Sequence, residues 1–209
     1  MAERYHGVTE GFAGFTGQPS SEGRTGRREP LRTAPTPGLA QSKDTPMKKV
    51  LIVFHSKTGG TYQMAQAAAK GAASEPEVDV KAVHAAEAGP DDLLRSDGYI
   101  FATPENLAMM SGMMKDFFDR AYYPALDLIV GRPYAILICA GSDGENAARQ
   151  IERIATGWRL KKIAEAIIVC THAQTPETIL APKQIGAFDL SRCEEIGATL
   201  AAGLILGIY

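Results

Sequence analysis

The chain has 209 residues, a length that suits one sizeable domain rather than two independent cores. Its 22 Lys plus Arg and 24 Asp plus Glu leave a formal net charge of −2, too weak a field to steer nucleic acid or an anionic membrane, so neither is expected as a partner. Cys139, Cys170 and Cys193 are odd in number, widely separated and without a Cys-x-x-Cys pair, so no disulfide framework and no metal site is expected and a reducing cytoplasm is the expected compartment. No apolar run nears the roughly 18 residues of a transmembrane helix, the final run 201–209 being interrupted by Gly203 and Gly207.

Residues 1–46 are crowded with Gly, Pro, Ser, Thr and Arg and hold no period of 2 or 3.6, which reads as a disordered extension, a tag or an upstream-extended start. Arg27-Arg28 lacks the apolar segment that a twin-arginine export signal needs, and Glu3, Glu10, Glu22 and Glu29 argue against an organelle transit peptide. Met47, followed by two lysines and a strand, reads as a natural start, so the expected domain is 47–209.

From residue 48 apolar runs alternate with amphipathic ones, the pattern of a parallel sheet covered by helices on both faces. The run 50–54 is continuously apolar, as a strand buried on both faces should be. A helix over 61–73 follows, with Met64, Ala68 and Gly71 on one side and Gln63, Gln66 and Lys70 on the other. Strands are expected at 78–83 and 98–103, the latter ended by Pro104, then a helix over 112–122 capped by Ser111. Strand 134–140, helix 145–156, strand 166–170 and a last helix over 190–206 complete an α/β, three-layer doubly wound domain of five parallel strands. Its ligand belongs beyond the carboxyl ends of the strands, which fixes in advance the loops that matter.

The first of these loops, Ser56-Lys57-Thr58-Gly59-Gly60-Thr61, leads into a helix whose unpaired N–H groups and positive dipole end suit an anion, with three hydroxyls added as donors. A phosphate monoester fits; the spacing is neither a P-loop nor Gly-x-Gly-x-x-Gly. The plain alternative is an ordinary turn with Ser56 or Thr61 as N-cap. The match to Ser/Thr-x-Thr-Gly-x-Thr resembles the phosphate loop of flavodoxins and their relatives. Downstream, Thr103-Pro104-Glu105-Asn106 followed by Met110-Ser111-Gly112-x-x-Lys115-x-Phe117-x-Asp119 is similar to the second flavin loop of the flavodoxin-like NAD(P)H:quinone oxidoreductases and NAD(P)H-dependent FMN reductases. The third loop, Ala140-Gly141-Ser142-Asp143-Gly144-Glu145-Asn146, lies where that family makes its last contacts with the isoalloxazine.

The resemblance, which spans Met47 to Tyr209, implies a flavodoxin-like sheet in the order 2-1-3-4-5. It also implies FMN as cofactor, NAD(P)H as electron donor and a quinone, free flavin or nitro or azo compound as acceptor. Members of the family often pair subunits so that one chain helps cover the other's flavin, which implies a homodimer or higher homo-oligomer. No catalytic acid or base is expected, because the cofactor carries the chemistry and the protein orients it.

Several polar residues also have plain readings. Neutral hydroxyl and backbone binding of the phosphate is favoured over a point charge from Lys57, and Glu105 is expected to face solvent. Met109, Met110 and Met113 could contact a flat ring or fill gaps. Asp143 and Glu145 are explained by a helix start, Lys115 with Asp119 by a solvated pair, and His55 by structural packing. Trp158, Tyr122, Tyr123 and Phe118 either shield a cofactor or fill the faces of the sheet, packing being the default. Two other functions stay open: an electron carrier of the flavodoxin type, disfavoured because no aromatic residue lies between Thr103 and Gly112, and a flavin-free scaffold.

Overall fold

The fold is seen in a computed structural model that describes residues 47–209; the expected extension 1–46 falls outside the described residues. In chain order the elements are β1 (Lys48–Phe54), α1 (Gly60–Ala72), β2 (Val78–His84), α2 (Pro90–Leu94), β3 (Gly98–Asn106), β4 (Met109–Met110), α3 (Gly112–Ala125), β5 (Pro133–Ala140), α4 (Glu145–Gly157), β6 (Lys161–Lys162), β7 (Ile167–Cys170), α5 (Pro176–Leu180) and α6 (Ala187–Leu206).

Val50 to Val53 of β1 are fully buried because alternate side chains enter two different cores. Leu51 and Val53 join Tyr99, Phe101 and the inner faces of α3 and α4. Val50 and Ile52 join Ile100, Ala102 and the inner faces of α1 and α6. A continuous apolar run is therefore the signature of a strand between two helical layers, each large side chain contributing about 1.5–3 kcal/mol on burial.

The main strands pair in parallel: Val50 with Val80 of β2, Ile52 with Ile100 of β3, Phe101 with Ile136 of β5 and Ile138 with Ile168 of β7. Counting those five, the order β2-β1-β3-β5-β7 is the expected 2-1-3-4-5, and two-residue β6 adds a short pairing at the start of β5. Phe101 centres the aromatic packing, with Phe118 edge-on at 5.1 Å and Trp158 at 6.5 Å. Trp158 donates its Nε1–H to the Tyr122 carbonyl at 2.9 Å, so both Trp158 and Phe118 are core residues. Among the described residues no helix is long and apolar enough to cross a membrane.

One expected boundary is overturned. β3 runs through Pro104 to Asn106 instead of stopping before it. Alternate residues of a strand address opposite neighbours, and the Ala102 carbonyl accepts from His55 N on the β1 side. Pro104 addresses that same side, where β1 has already ended at Phe54, so its missing N–H leaves no partner unsatisfied. The elements α2, β4, β6 and α5 were not foreseen; at two to five residues each they are too short to show a period.

The helix α1 is seated by two glycines. A Cβ at Gly71 of α1 would lie 1.8 Å from the Glu194 carbonyl oxygen, and one at Gly197 of α6 would lie 2.0 Å from that of Ala68, so the two backbones cross in contact. Gly197→Ala should therefore lower stability by about 1–3 kcal/mol in urea unfolding. Gly112→Ala, where a Cβ meets nothing within 4 Å, should change it by less than about 0.5 kcal/mol.

Candidate functional site

Beyond the carboxyl end of β1 the chain turns sharply into α1. Ser56 Oγ accepts from Gly59 N at 3.1 Å, and Gly59 takes a left-handed φ of +89°, a conformation costly for any residue with a Cβ. Gly59 is the N-cap and no side chain caps α1, so neither Ser56 nor Thr61 plays the capping role that the plain reading of this loop required. The first-turn N–H groups of α1 therefore have no side-chain cap. At Gly60 the demand is for space: a Cβ would lie 2.6 Å from Cys139 Sγ and 3.2 Å from Lys183 Cβ. Ser56, Lys57, Thr58 and Thr61 line a cavity of about 530 Å3, and the buried Thr61 hydroxyl reaches Cys139 Sγ.

The second loop divides into supporting and lining residues. Thr103 and Ser111 are fully buried and bonded to one another, Thr103 Oγ1 donating to Ser111 Oγ at 3.0 Å and accepting from Ser111 N at 3.2 Å. Ser111 Oγ also accepts from Met114 N at 3.2 Å, capping α3 as expected. Pro104, Glu105 and Asn106 line the cavity, whereas Met110 packs into the core and Gly112 lies outside it. Between Asn106 and Met109 the chain reverses through Leu107 and Ala108, both at positive φ, +51° and +61°. Asn146 Nδ2 donates to the Ala108 carbonyl at 2.7 Å and Gln150 Oε1 accepts from Met110 N at 3.0 Å, so α4 pins the hairpin along its outer edge.

From the third loop Ala140, Gly141 and Ser142 line the same cavity, while Asp143 and Gly144 form the turn into α4. Gly144 is required twice over, by a φ of +90° and by Ile168 Cγ2, which a Cβ would approach to 2.6 Å. Glu105 does not face solvent freely: its Oε1 accepts from Gly144 N at 2.9 Å, a charge-assisted bond that ties the second loop to the third at the positive end of α4.

The cavity also has walls that the sequence reading missed. Thr171 and Ala173 follow β7, and the rule that places ligands at carboxyl strand ends could have found them. Ile179 and Lys183 belong to a strap, residues 171–186, that carried no local signal. Lys183 N donates to the Thr58 carbonyl at 2.8 Å, and Gln63 grips the strap by donating to Lys183 O at 2.7 Å and accepting from Ile185 N at 3.2 Å. Lys183 Nζ donates to the Thr178, Ile179 and Ala181 carbonyls, which fixes its stem beside the loop. Lys57, Lys183 and the start of α1 line the cavity together with the carboxylate of Glu105. Burial pushes the Cys139 thiol up despite Lys183 and Thr61, which keeps it a packing group rather than a nucleophile. Among the described residues no cluster of His, Cys, Asp or Glu could hold a metal.

Against solved structures the chain superposes on a flavodoxin from the domain Archaea with a TM-score of 0.62 at 20% identity, covering 75% of this chain and 99% of that one. A flavodoxin, WrbA-like protein from Agrobacterium tumefaciens gives 0.60 at 21%, covering 76% and 98%. The fold is that of the flavodoxins. Within this flavodoxin-like chain residues 85–174 match the family model of NADPH-dependent FMN reductase. Curated relatives include a flavodoxin of Aquifex aeolicus, 40% identical over 73 residues, covering 35% of this chain and 40% of that protein. An NAD(P)H dehydrogenase (quinone) of Acidithiobacillus ferrooxidans is 40% identical over 94 residues, covering 35% of this chain and 47% of the relative. Quinone-oxidoreductase QR2 of Triphysaria versicolor is 30% identical over 117 residues, covering 46% and 57%. The flavodoxin-like chain thus spans about half the length of the curated relatives it matches.

His55 stands just past the end of β1, its Nδ1 buried without a partner among the described residues and its ring 5.5 Å from that of His84. Burial first, then the charges of His84 and Lys57, hold its imidazole below the usual 6.5. The folded chain therefore binds this proton more weakly than the unfolded chain, so the contribution to stability is present above pH 6.5 and is lost as pH falls through the folded value. A proton NMR titration should place the His55 midpoint below 6.5; a midpoint at or above 6.5 contradicts this electrostatic account of the cradle.

Proposed function

We propose that this chain is an FMN-dependent oxidoreductase that draws on NAD(P)H and reduces a quinone or similar small acceptor. The observation that carries the reading is the convergence of three loops on one cavity, lined by hydroxyls and two lysines beside an uncapped helix start and by backbone-rich loops. The fit to FMN rests on the cradle itself. Gly59 supplies the left-handed turn, Gly60 leaves no room for a Cβ, and about 530 Å3 lies within the range of cofactor sites.

Ser56, Thr58 and Thr61 would hold the phosphate with the first-turn N–H groups of α1, and Lys57 and Lys183 lower the cost of its charge. Glu105 and Asn106 would meet the polar edge of the flavin with their backbone groups and the Asn106 amide, and Gly141 and Ser142 would close the opposite side. Bound there, FMN supplies two-electron chemistry between a nicotinamide donor and an acceptor. The chain's own work is to hold and orient the group. Donor and acceptor are suggested by the names of the Acidithiobacillus and Triphysaria relatives and by the family matched over residues 85–174. A cytoplasmic site belongs to the same reading, which the three free cysteines support, as does a homodimer or higher homo-oligomer.

The Aquifex relative keeps an electron carrier as the second reading. Against it, the second loop offers Leu107, Ala108 and Met109 where a carrier would stack an aromatic ring. Steady-state oxidation of NADH and NADPH by FMN-loaded protein with a benzoquinone acceptor separates the two. The proposed function predicts a rate well above that of the same concentration of free FMN, and a rate no higher than free FMN contradicts it.

A further inference from the structure

On the outer side of the β3–β4 hairpin lies a second cavity, of about 750 Å3, separate from the one proposed for the flavin. The hairpin is the wall between the two, for Asn106 and Leu107 line both. Its turn is held in a conformation that neither side chain favours, at roughly 1–2 kcal/mol for each residue at positive φ, and α4 enforces it through Asn146 and Gln150. The result is a Leu107 side chain that is 96% exposed at the crossing point from one cavity to the other. An apolar side chain held in water by a strained and pinned turn calls for a ligand that passes over it.

The lining chemistry says what kind. The floor is apolar and soft, with Met110, Tyr122 and Ile154. Lys115 and Arg153 stand at the rim, and no carboxylate lines the cavity. Lys115 is shared with Asp119 at the surface, whereas the Arg153 side chain makes no hydrogen bond or ion pair among the described residues. An apolar floor beside an uncommitted guanidinium complements a ligand that joins a flat ring to anionic groups. A benzoquinone carries a ring without the charge, and inorganic phosphate carries the charge without the ring. Of the two substrates of the proposed reaction, only the dinucleotide has both.

We propose that the groove between the hairpin, α3 and α4 binds the adenosine-phosphate half of the NAD(P)H donor, with Arg153 as its phosphate contact and Leu107 at the point where the dinucleotide crosses into the flavin cavity. This assignment rests on the function proposed above. Arg153 is a binding residue, not a catalytic one: it acts on the donor's affinity and leaves the acceptor's alone.

The test compares FMN-loaded wild type with Arg153→Ala and Arg153→Lys, by steady-state kinetics and by calorimetric binding of ADP-ribose and 2′-phospho-ADP-ribose, which carry no hydride. Loss of one charge-assisted contact should raise the KM for the preferred dinucleotide about tenfold in Arg153→Ala, weaken the matching ADP-ribose analogue by a similar factor, and be partly restored by lysine. The KM for benzoquinone should stay within about twofold, as for any residue outside its site. Unchanged dinucleotide KM and analogue binding overturn the proposal, and so does a rise confined to the quinone. Because the analogue arm involves no turnover, a wild-type chain that oxidises neither dinucleotide contradicts the proposed function, whereas analogue binding independent of Arg153 contradicts this assignment alone.

Discussion

At Gly60 the first turn of α1 is pressed against Cys139 of β5 and Lys183 of the strap so closely that a Cβ would lie 2.6 Å from the thiol sulfur. That contact fixes where the positive end of the helix dipole points, and the remaining features of the site follow from it. The crossing of α1 with α6 through Gly71 and Gly197 holds the helix at the rear, while Gln63 and Thr58 hold the strap at the front. The proposed phosphate cradle of backbone amides would need this kind of bracing, because its donors cannot be re-aimed by a side-chain rotation.

The same economy governs the other two loops. Thr103 and Ser111 spend their hydroxyls on each other and on the start of α3, which holds the strand exit of the second loop rigid. Glu105 then bolts this loop to the N-terminus of α4, and α4 returns two amide side chains to the hairpin. Each loop is thereby positioned by a neighbour instead of by its own turn. The cavity between them is lined by Lys57 and Lys183 as well as by the Glu105 carboxylate.

Much of this was legible in the sequence wherever one residue type has one local meaning. The apolar run 50–54 announced a strand buried on both faces, and the main strands and helices were found within a few residues of their ends. The Ser56–Thr61 loop reads as an anion site from its hydroxyls and glycines alone, and the left-handed Gly59 and uncapped start of α1 support the proposal built on that reading. Meaning that depends on a distant partner was not legible. Gly59 and Gly60 look alike in sequence, yet one is required for its φ and the other for the sulfur behind it. Glu105 read as a surface carboxylate because Gly144, 39 residues away, is its partner. Pro104 read as a strand end because the early stop of β1 beside it is a fact of register. Lys183 is brought in by Gln63, 120 residues away, and nothing near residue 183 hints at it.

The account stands or falls on whether the cradle at the start of α1 selects a phosphate. Titrating flavin-free protein with FMN and with riboflavin, followed by flavin fluorescence, reads that selection directly, since the two ligands differ only in the phosphate. Two or more charge-assisted hydrogen bonds from the cradle predict tighter binding of FMN by about a hundredfold or more. Equal affinity for the two would contradict it.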